Sequence, residues 1–292
     1  MEWLLTALSS AFFFSILNVV TKKLTQDISG LAYNFIFSLS ALILLLPFST
    51  YFGLNTNLTS SIVPWLALVG SGIANTFGII AYNNSIKQGE ISEVIPLTKL
   101  TPIFTAVLGF SILGEEMTPL MVTGILAVTL GSYIVLLRKN KSLVGPLKRL
   151  FTNRAALLAS ISSVIYAFAS IMDRFGTQAI RPEVYVSGIF LVMSACFTVY
   201  LGTTKREKLI EAKNAVREKP SSFFLVGLLA AGAYLSIFIA YSMAAASKVI
   251  PVLQLQVLAS VAAGGYLFNE QNMLRKVVGS VILVVGVVLI AL

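Results

Sequence analysis

Apolar residues run along this chain in long blocks, each ending at a short polar or basic interruption. Ten blocks reach the roughly 20 residues that a helix needs to cross a hydrocarbon core: about 3 to 21, 30 to 48, 62 to 84, 92 to 113, 119 to 137, 155 to 175, 184 to 203, 222 to 246, 248 to 268 and 275 to 292. Their length predicts an all-α integral membrane protein of ten transmembrane helices, five in each half of the chain. The first block starts at Trp3 without a basic leader or a small-residue cleavage site, which predicts a retained helix.

The second half repeats the first. Residues 92–137 align on 247–292 without a gap at an offset of 155, with eleven of 46 positions identical. Shared hydrophobicity raises such counts, but it does not place Pro96 on Pro251, Glu115 on Glu270, and Gly109, Gly124 and Gly131 on Gly264, Gly279 and Gly286. Helix 1 maps on helix 6 at an offset of 152 (Ser10, Phe14, Asn18 and Lys22 on Ser162, Tyr166, Ser170 and Arg174), and helix 2 maps on helix 7 with Tyr33 on Tyr185. Helix 3 maps on helix 8 at 159, with Asn75 on Tyr234. Five spans per copy is an odd number, so the second copy enters the membrane from the opposite side. This predicts two inverted five-helix repeats, with a substrate site near the midplane between them. The expected division is 1–140 for the first repeat, 141–153 for a basic linker and 154–292 for the second repeat.

Composition fits this picture: 57% of residues are hydrophobic, 11% charged, and the mean hydropathy is +0.89. The net charge of +9 would suggest nucleic acid in a soluble protein; here the positive-inside rule accounts for it. The loops after helices 1, 3, 5, 7 and 9 hold 17 Lys/Arg and the others three, which places both termini outside. Residues 203–220, rich in Lys, Arg and Glu at helical spacings, predict a short helix at the lipid headgroups. There is no histidine, and Cys196 is the single cysteine. Imidazole chemistry, disulfides and thiolate metal clusters drop out, so no metal and no cofactor is expected.

The strongest local signal is Pro96-Leu97-Thr98-Lys99-Leu100-Thr101-Pro102. A lysine at membrane depth is costly and normally faces a polar cavity, and prolines leave helix carbonyls unpaired. Its repeat mate is Gln254, flanked by Pro251 and Gln256. Facing candidates are Asn75 and Tyr82 with Gly78 on helix 3, Tyr234 and Tyr241 with Phe238 on helix 8, Asn18 on helix 1 and Tyr166 on helix 6. Together they would line a cavity with one cation, several amide and hydroxyl groups and aromatic walls, suited to a small solute bearing a carboxylate. The repeated glycines of helices 5 and 10 fit close helix packing. Glu115 and Glu270, at the turns into those helices, are expected to cap a helix start or to lock a gate.

These features together resemble the EamA-type branch of the drug/metabolite transporter superfamily. The resemblance implies an inverted-repeat fold with a central cavity, alternating access, and export of amino acids or other metabolites. It departs from the small multidrug-resistance branch, whose coupling carboxylate lies in the first helix; here that helix has no acid beyond Glu2. The expected function is a carrier for an amino acid or related metabolite. Its partners would be that solute and the lipid bilayer of the cell membrane, with no nucleic acid and with the monomer sufficing. A nucleotide-sugar or sugar-phosphate exchanger is the alternative within the superfamily, though no dense basic cluster stands at the expected cavity. A channel, a non-transporting membrane protein or an intramembrane enzyme would be another class; no span shows paired acids, histidine ligands or an activated nucleophile, and an enzyme is not expected.

Overall fold

A computed structural model of the chain describes residues 1–54, 59–89, 91–137, 153–258 and 273–292. The helices are α1 Glu2–Leu24, α2 Gly30–Leu54, α3 Val63–Gln88, α4 Ile91–Thr98, α5 Thr101–Leu108, α6 Pro119–Leu136, α7 Arg154–Gly176, α8 Pro182–Thr204, α9 Arg206–Glu218, α10 Pro220–Met243, α11 Ala246–Leu253 and α12 Met273–Ala291. There is no strand among the described residues. Among the described residues nine helical spans are long and apolar enough to cross a membrane, counting 94–113 as one, and a shorter apolar helix covers 246–258. The protein is an all-α membrane protein. The continuation of the ninth expected span to 268, Gly264, Glu270 and most of the linker lie outside the described residues.

Large apolar side chains face outward as well as inward, and small polar residues are buried among the helices. Phe12, Ile43, Phe77, Phe110, Val199 and Phe224 are each more than half exposed, whereas Ser10, Ser38, Ser71, Ser85, Ser162 and Ser163 are fully buried. Lipid tails are as apolar as these side chains, so helix association gains little from burying them and rests on close contact between small residues and on hydrogen bonds.

The helix pairs follow the repeat. α3 packs on α7 and its counterpart α10 packs on α1; α2 packs on α10 and its counterpart α8 on α3. The self-paired contacts are α2 with α8 and α6 with α12. At the α6–α12 crossing a Cβ on Gly124 would stand 2.7 Å from the carbonyl of Gly286, and one on Gly131 2.6 Å from that of Gly279. Gly124 is the repeat mate of Gly279, and Gly131 of Gly286. The two contacts are therefore exchanged by the pseudo-two-fold relation that the odd span count predicts.

The polar stretch after α8 forms α9, as its helical charge spacing indicates. Ala212 and Ala215 face the protein, and Lys219 pairs with Asp27 at 2.5 Å. Glu211 accepts the backbone N–H of Ser29 at 2.6 Å and its hydroxyl at 3.1 Å, and pairs with Lys208 at 2.8 Å. It thus caps the start of α2. Partial burial raises the Glu211 pKa, but the bonds from Lys208 and Ser29 outweigh this and hold it below its ordinary value of 4.5.

Candidate functional site

The fourth span is not one continuous helix. It is α4, a two-residue turn at Lys99–Leu100, α5, and a π turn over Gly109–Leu113 that ends at Gly114 with φ +64°. Pro96, Lys99 and Pro102 therefore do not share an unbroken helical face. At the turn the amides reach back three residues, Lys99 N to Pro96 O at 3.1 Å and Leu100 N to Leu97 O at 3.2 Å. Pro102 cannot donate to the carbonyl of Thr98, and the Thr101 hydroxyl takes its place at 2.9 Å. The Ser163 hydroxyl from α7 reaches the carbonyl of Leu97 at 3.0 Å. Side chains thus supply what the broken ladder lacks, as lipid cannot.

The second half breaks at the repeat-related place. α11 gives way to a turn at Gln254–Leu255, with Gln254 N to Pro251 O at 3.0 Å and Leu255 N to Val252 O at 3.1 Å. Val257 stands where the first half has Pro102, so that proline is not what both breaks have in common. α11 and α5 are in contact, so the two breaks belong to neighbouring helices.

Each break carries a polar side chain with unused capacity. Among the described residues Lys99 has no hydrogen-bond or ion-pair partner. The Oε1 atom of Gln254, whose residue is 6% exposed, is buried without a partner. Gln256 accepts a hydrogen bond from Asn18 at 2.9 Å, joining α1 to the second half. Asn75 is turned inward along its own helix and donates to the Ser71 carbonyl at 3.0 Å and hydroxyl at 3.1 Å.

The tyrosines form one connected set. Tyr166 lies over Gly78, where a Cβ would stand 2.9 Å from its ring, and within electrostatic reach of Tyr82 and Tyr234. Tyr234 also sits among aromatic rings, its centroid 5.1 Å from Phe14, 5.0 Å from Phe190 and 6.0 Å from Phe37. Tyr241 is 1% exposed and packs on Phe238 at 5.9 Å, and its carbonyl accepts Arg174. Through Phe238, whose ring lies 6.5 Å from that of Tyr234, it continues the same aromatic cluster.

Glu115 caps a helix, but not the one that follows it. α6 is capped by Thr118, whose hydroxyl accepts Met121 N at 3.2 Å. Glu115 reaches into the other half, accepting Ala246 N at 2.8 Å, Ser247 N at 3.2 Å and the Ser247 hydroxyl at the start of α11. Arg174 lies within electrostatic reach. The site residue that sequence reasoning missed is Asp173, on the last turn of α7 and 6% exposed, with its Oδ1 atom buried and unpartnered. The repeat alignment carried the signal, since an offset of 152 sets Thr21 against Asp173.

A model of the EamA-like transporter family matches residues 1–137 and again 153–292. The chain belongs to the EamA-like transporter family. A curated relative of this EamA-like protein, an uncharacterized transporter in the cobO 3' region of Sinorhizobium sp, is 31% identical over 71 residues, 24% of this chain and 50% of that one. The matched stretch thus spans half the length of that relative. A solved crystal structure of another protein superposes with a TM-score of 0.74 over 99% of this chain and 97% of that one, at 14% identity. That likeness bears on the fold alone. The protein is a multi-pass membrane protein of this family.

Proposed function

We propose that this transporter is a cell-membrane carrier for a small solute bearing a carboxylate, most naturally an amino acid or related metabolite, which works as a monomer by alternating access and without a cofactor. The observation that carries this reading is the unused polar group at each of two repeat-related helix breaks, a donor at Lys99 and an acceptor at Gln254. The lysine offers a point charge to a carboxylate. The glutamine oxygen offers an acceptor to an ammonium or amide group. Tyr82, Tyr166 and Tyr234 supply aromatic wall, and Asn18 with Gln256 a polar bridge between the halves. Pro96, Pro102 and Pro251 belong to the same irregular segments, where rocking of one half against the other has pliable backbone to act on.

The test is counterflow in liposomes preloaded with a mixed amino-acid pool, with nucleotide sugars and sugar phosphates in parallel. Saturable uptake of carboxylate-bearing amino acids is expected. Lys99→Gln, which keeps the polar length and removes the charge, is expected to lower it by tenfold or more, since hydrogen bonds to charged groups contribute about 1.5–3 kcal/mol. Wild-type uptake by a folded Lys99→Gln variant would remove Lys99 from the site. Uptake confined to nucleotide sugars or sugar phosphates would replace the substrate class.

A further inference from the structure

The two halves hold one repeated slot in chemically different ways. In the first half, Thr21 of α1 and Tyr33 of α2 share a hydroxyl–hydroxyl bond of 2.5 Å. The mates of these residues are Asp173 of α7 and Tyr185 of α8. A neutral pair that satisfies itself is thus matched by a tyrosine beside a carboxyl group.

The surroundings of that carboxyl group do not neutralise it. From α3 it meets the hydroxyl of Ser71 and from α8 that of Tyr185, with Tyr234 and Tyr241 of α10 within electrostatic reach. The Tyr185 hydroxyl lies between this carboxyl group and the carbonyl of Met172, to which it donates at 3.2 Å. Arg174, one residue on, turns to the carbonyl of Tyr241 and toward Glu115. α5 has no titratable residue, and Lys99 and Lys248 of the broken helices are not among the neighbours of Asp173 among the described residues. A carboxylate accepts hydrogen bonds and cannot donate them; here one of its oxygens is buried with no donor at all. An ionisable group held this way within a membrane span points by default to function.

Two connections lead away from it. Ser71 accepts from Asn75, which leaves the Ser71 hydroxyl proton for Asp173 and links the carboxyl group to a candidate substrate residue. Tyr241 lies within electrostatic reach of both Asp173 and Glu115, so Asp173 adjoins the end of the molecule where Glu115 closes one half on the other.

We propose that Asp173 is the proton-carrying site of this transporter, occupied by a proton in the arrangement seen here and emptied when the solute site is engaged. The step is a simple ionisation. The carboxyl O–H bond breaks, its electron pair stays on the oxygen, and the proton passes to water on whichever side is open; the return takes a proton from water on the other side. No co-reactant is needed. The coupling part of the proposal rests on the carrier reading above, but occupancy of the site does not, and the two are tested apart.

Occupancy is read by infrared difference spectroscopy of the reconstituted protein, wild type minus Asp173→Asn, across a pH series. The expected result is a carboxylic acid C=O band in the wild type, absent from the variant and bleached as pH rises. Absence of the band overturns the proposal. So does a sodium-dependent gain in thermal stability that Asp173→Asn abolishes, because the site would then hold a metal cation. Coupling is read with a pH indicator in weakly buffered detergent solution after adding an amino-acid mixture. A proton released by the wild type and not by Asp173→Asn supports the proposal. Binding of the mixture without proton release overturns it. No binding of the mixture counts against the amino-acid reading, while the infrared result still decides occupancy. Should Asp173→Asn not fold, Ser71→Ala leaves the carboxyl group in place and is expected to shift the same band by removing its hydroxyl neighbour.

Discussion

Two regions of this protein treat the repeat in opposite ways. At the α6–α12 crossing the halves have kept the same residues, and Gly124, Gly131, Gly279 and Gly286 meet backbone to backbone. In the interior the same alignment sets Lys99 on Gln254, Asn75 on Tyr234 and Thr21 on Asp173. Symmetry survives where two copies of a backbone must touch and is lost where a solute would have to be held. A solute is not symmetric, so a two-fold site would waste half its chemistry. The seam has the reverse need, because each glycine there has the opposite half as its neighbour.

The sharpest way to break the comparison is at the seam. Gly131→Leu, and its mate Gly286→Leu, should each destabilise the protein by about 1–3 kcal/mol or more through overpacking, read as a drop in thermal midpoint in detergent. Similar losses for the two mates are the expected outcome; a large loss for one alone would show that the crossing is not symmetric. Next in size is Glu115→Gln, which removes the charge that receives three donors at the start of α11. Loss of such a cap costs about 0.5–2 kcal/mol, and faster backbone hydrogen exchange over 246–250 is the check.

Thr21→Val sharpens the interior side of the comparison. It removes one neutral hydrogen bond from Tyr33 and should cost about 0.5–1.5 kcal/mol, with no effect on proton release. A change in proton release would mean that both copies of the slot carry protons. The smallest effect belongs to α9. Lys208→Ala should cost under about 1 kcal/mol, since the pair with Glu211 is partly exposed and screened by salt. Because the Glu211 pKa is lowered on folding, its contribution is fully present above its ordinary value of 4.5 and is lost as pH falls below that value. Thermal midpoints of wild type and variant should therefore converge in acid.

Among the described residues, nine spans and the pairing of repeat-related helices were legible in the sequence, because they rest on signals within it, namely the length of apolar runs and the recurrence of residues at a fixed offset. Surface helix α9 was legible for the same reason. The glycine seam followed from the spacing of Gly124 and Gly131 with their mates. Prolines announced irregularity in the fourth span, but not its place. Both halves turn at the residue pair three after Pro96 or Pro251, whether or not a second proline follows. The cap from Glu115 could not be read, since its partners lie 131 and 132 residues away and the nearer helix start is already served by Thr118. Asp173 was readable in principle. It hid in the last turn of an apolar span, where an acid next to an arginine resembles an ordinary interfacial pair, and only the contacts show the arginine turned elsewhere.

The unequal strength of two contacts between the halves has a consequence for the resting state. Near the start of α11 a single carboxylate receives three donors. About ten residues further along, some 15 Å at helical rise, one amide pair joins Asn18 to Gln256. A transporter that rocks between two arrangements rests mostly in the one with the stronger contact, and about 1.4 kcal/mol changes that ratio tenfold. If the protein rocks in this way, the carboxylate of Glu115 is one weight on which face of the membrane the empty protein presents.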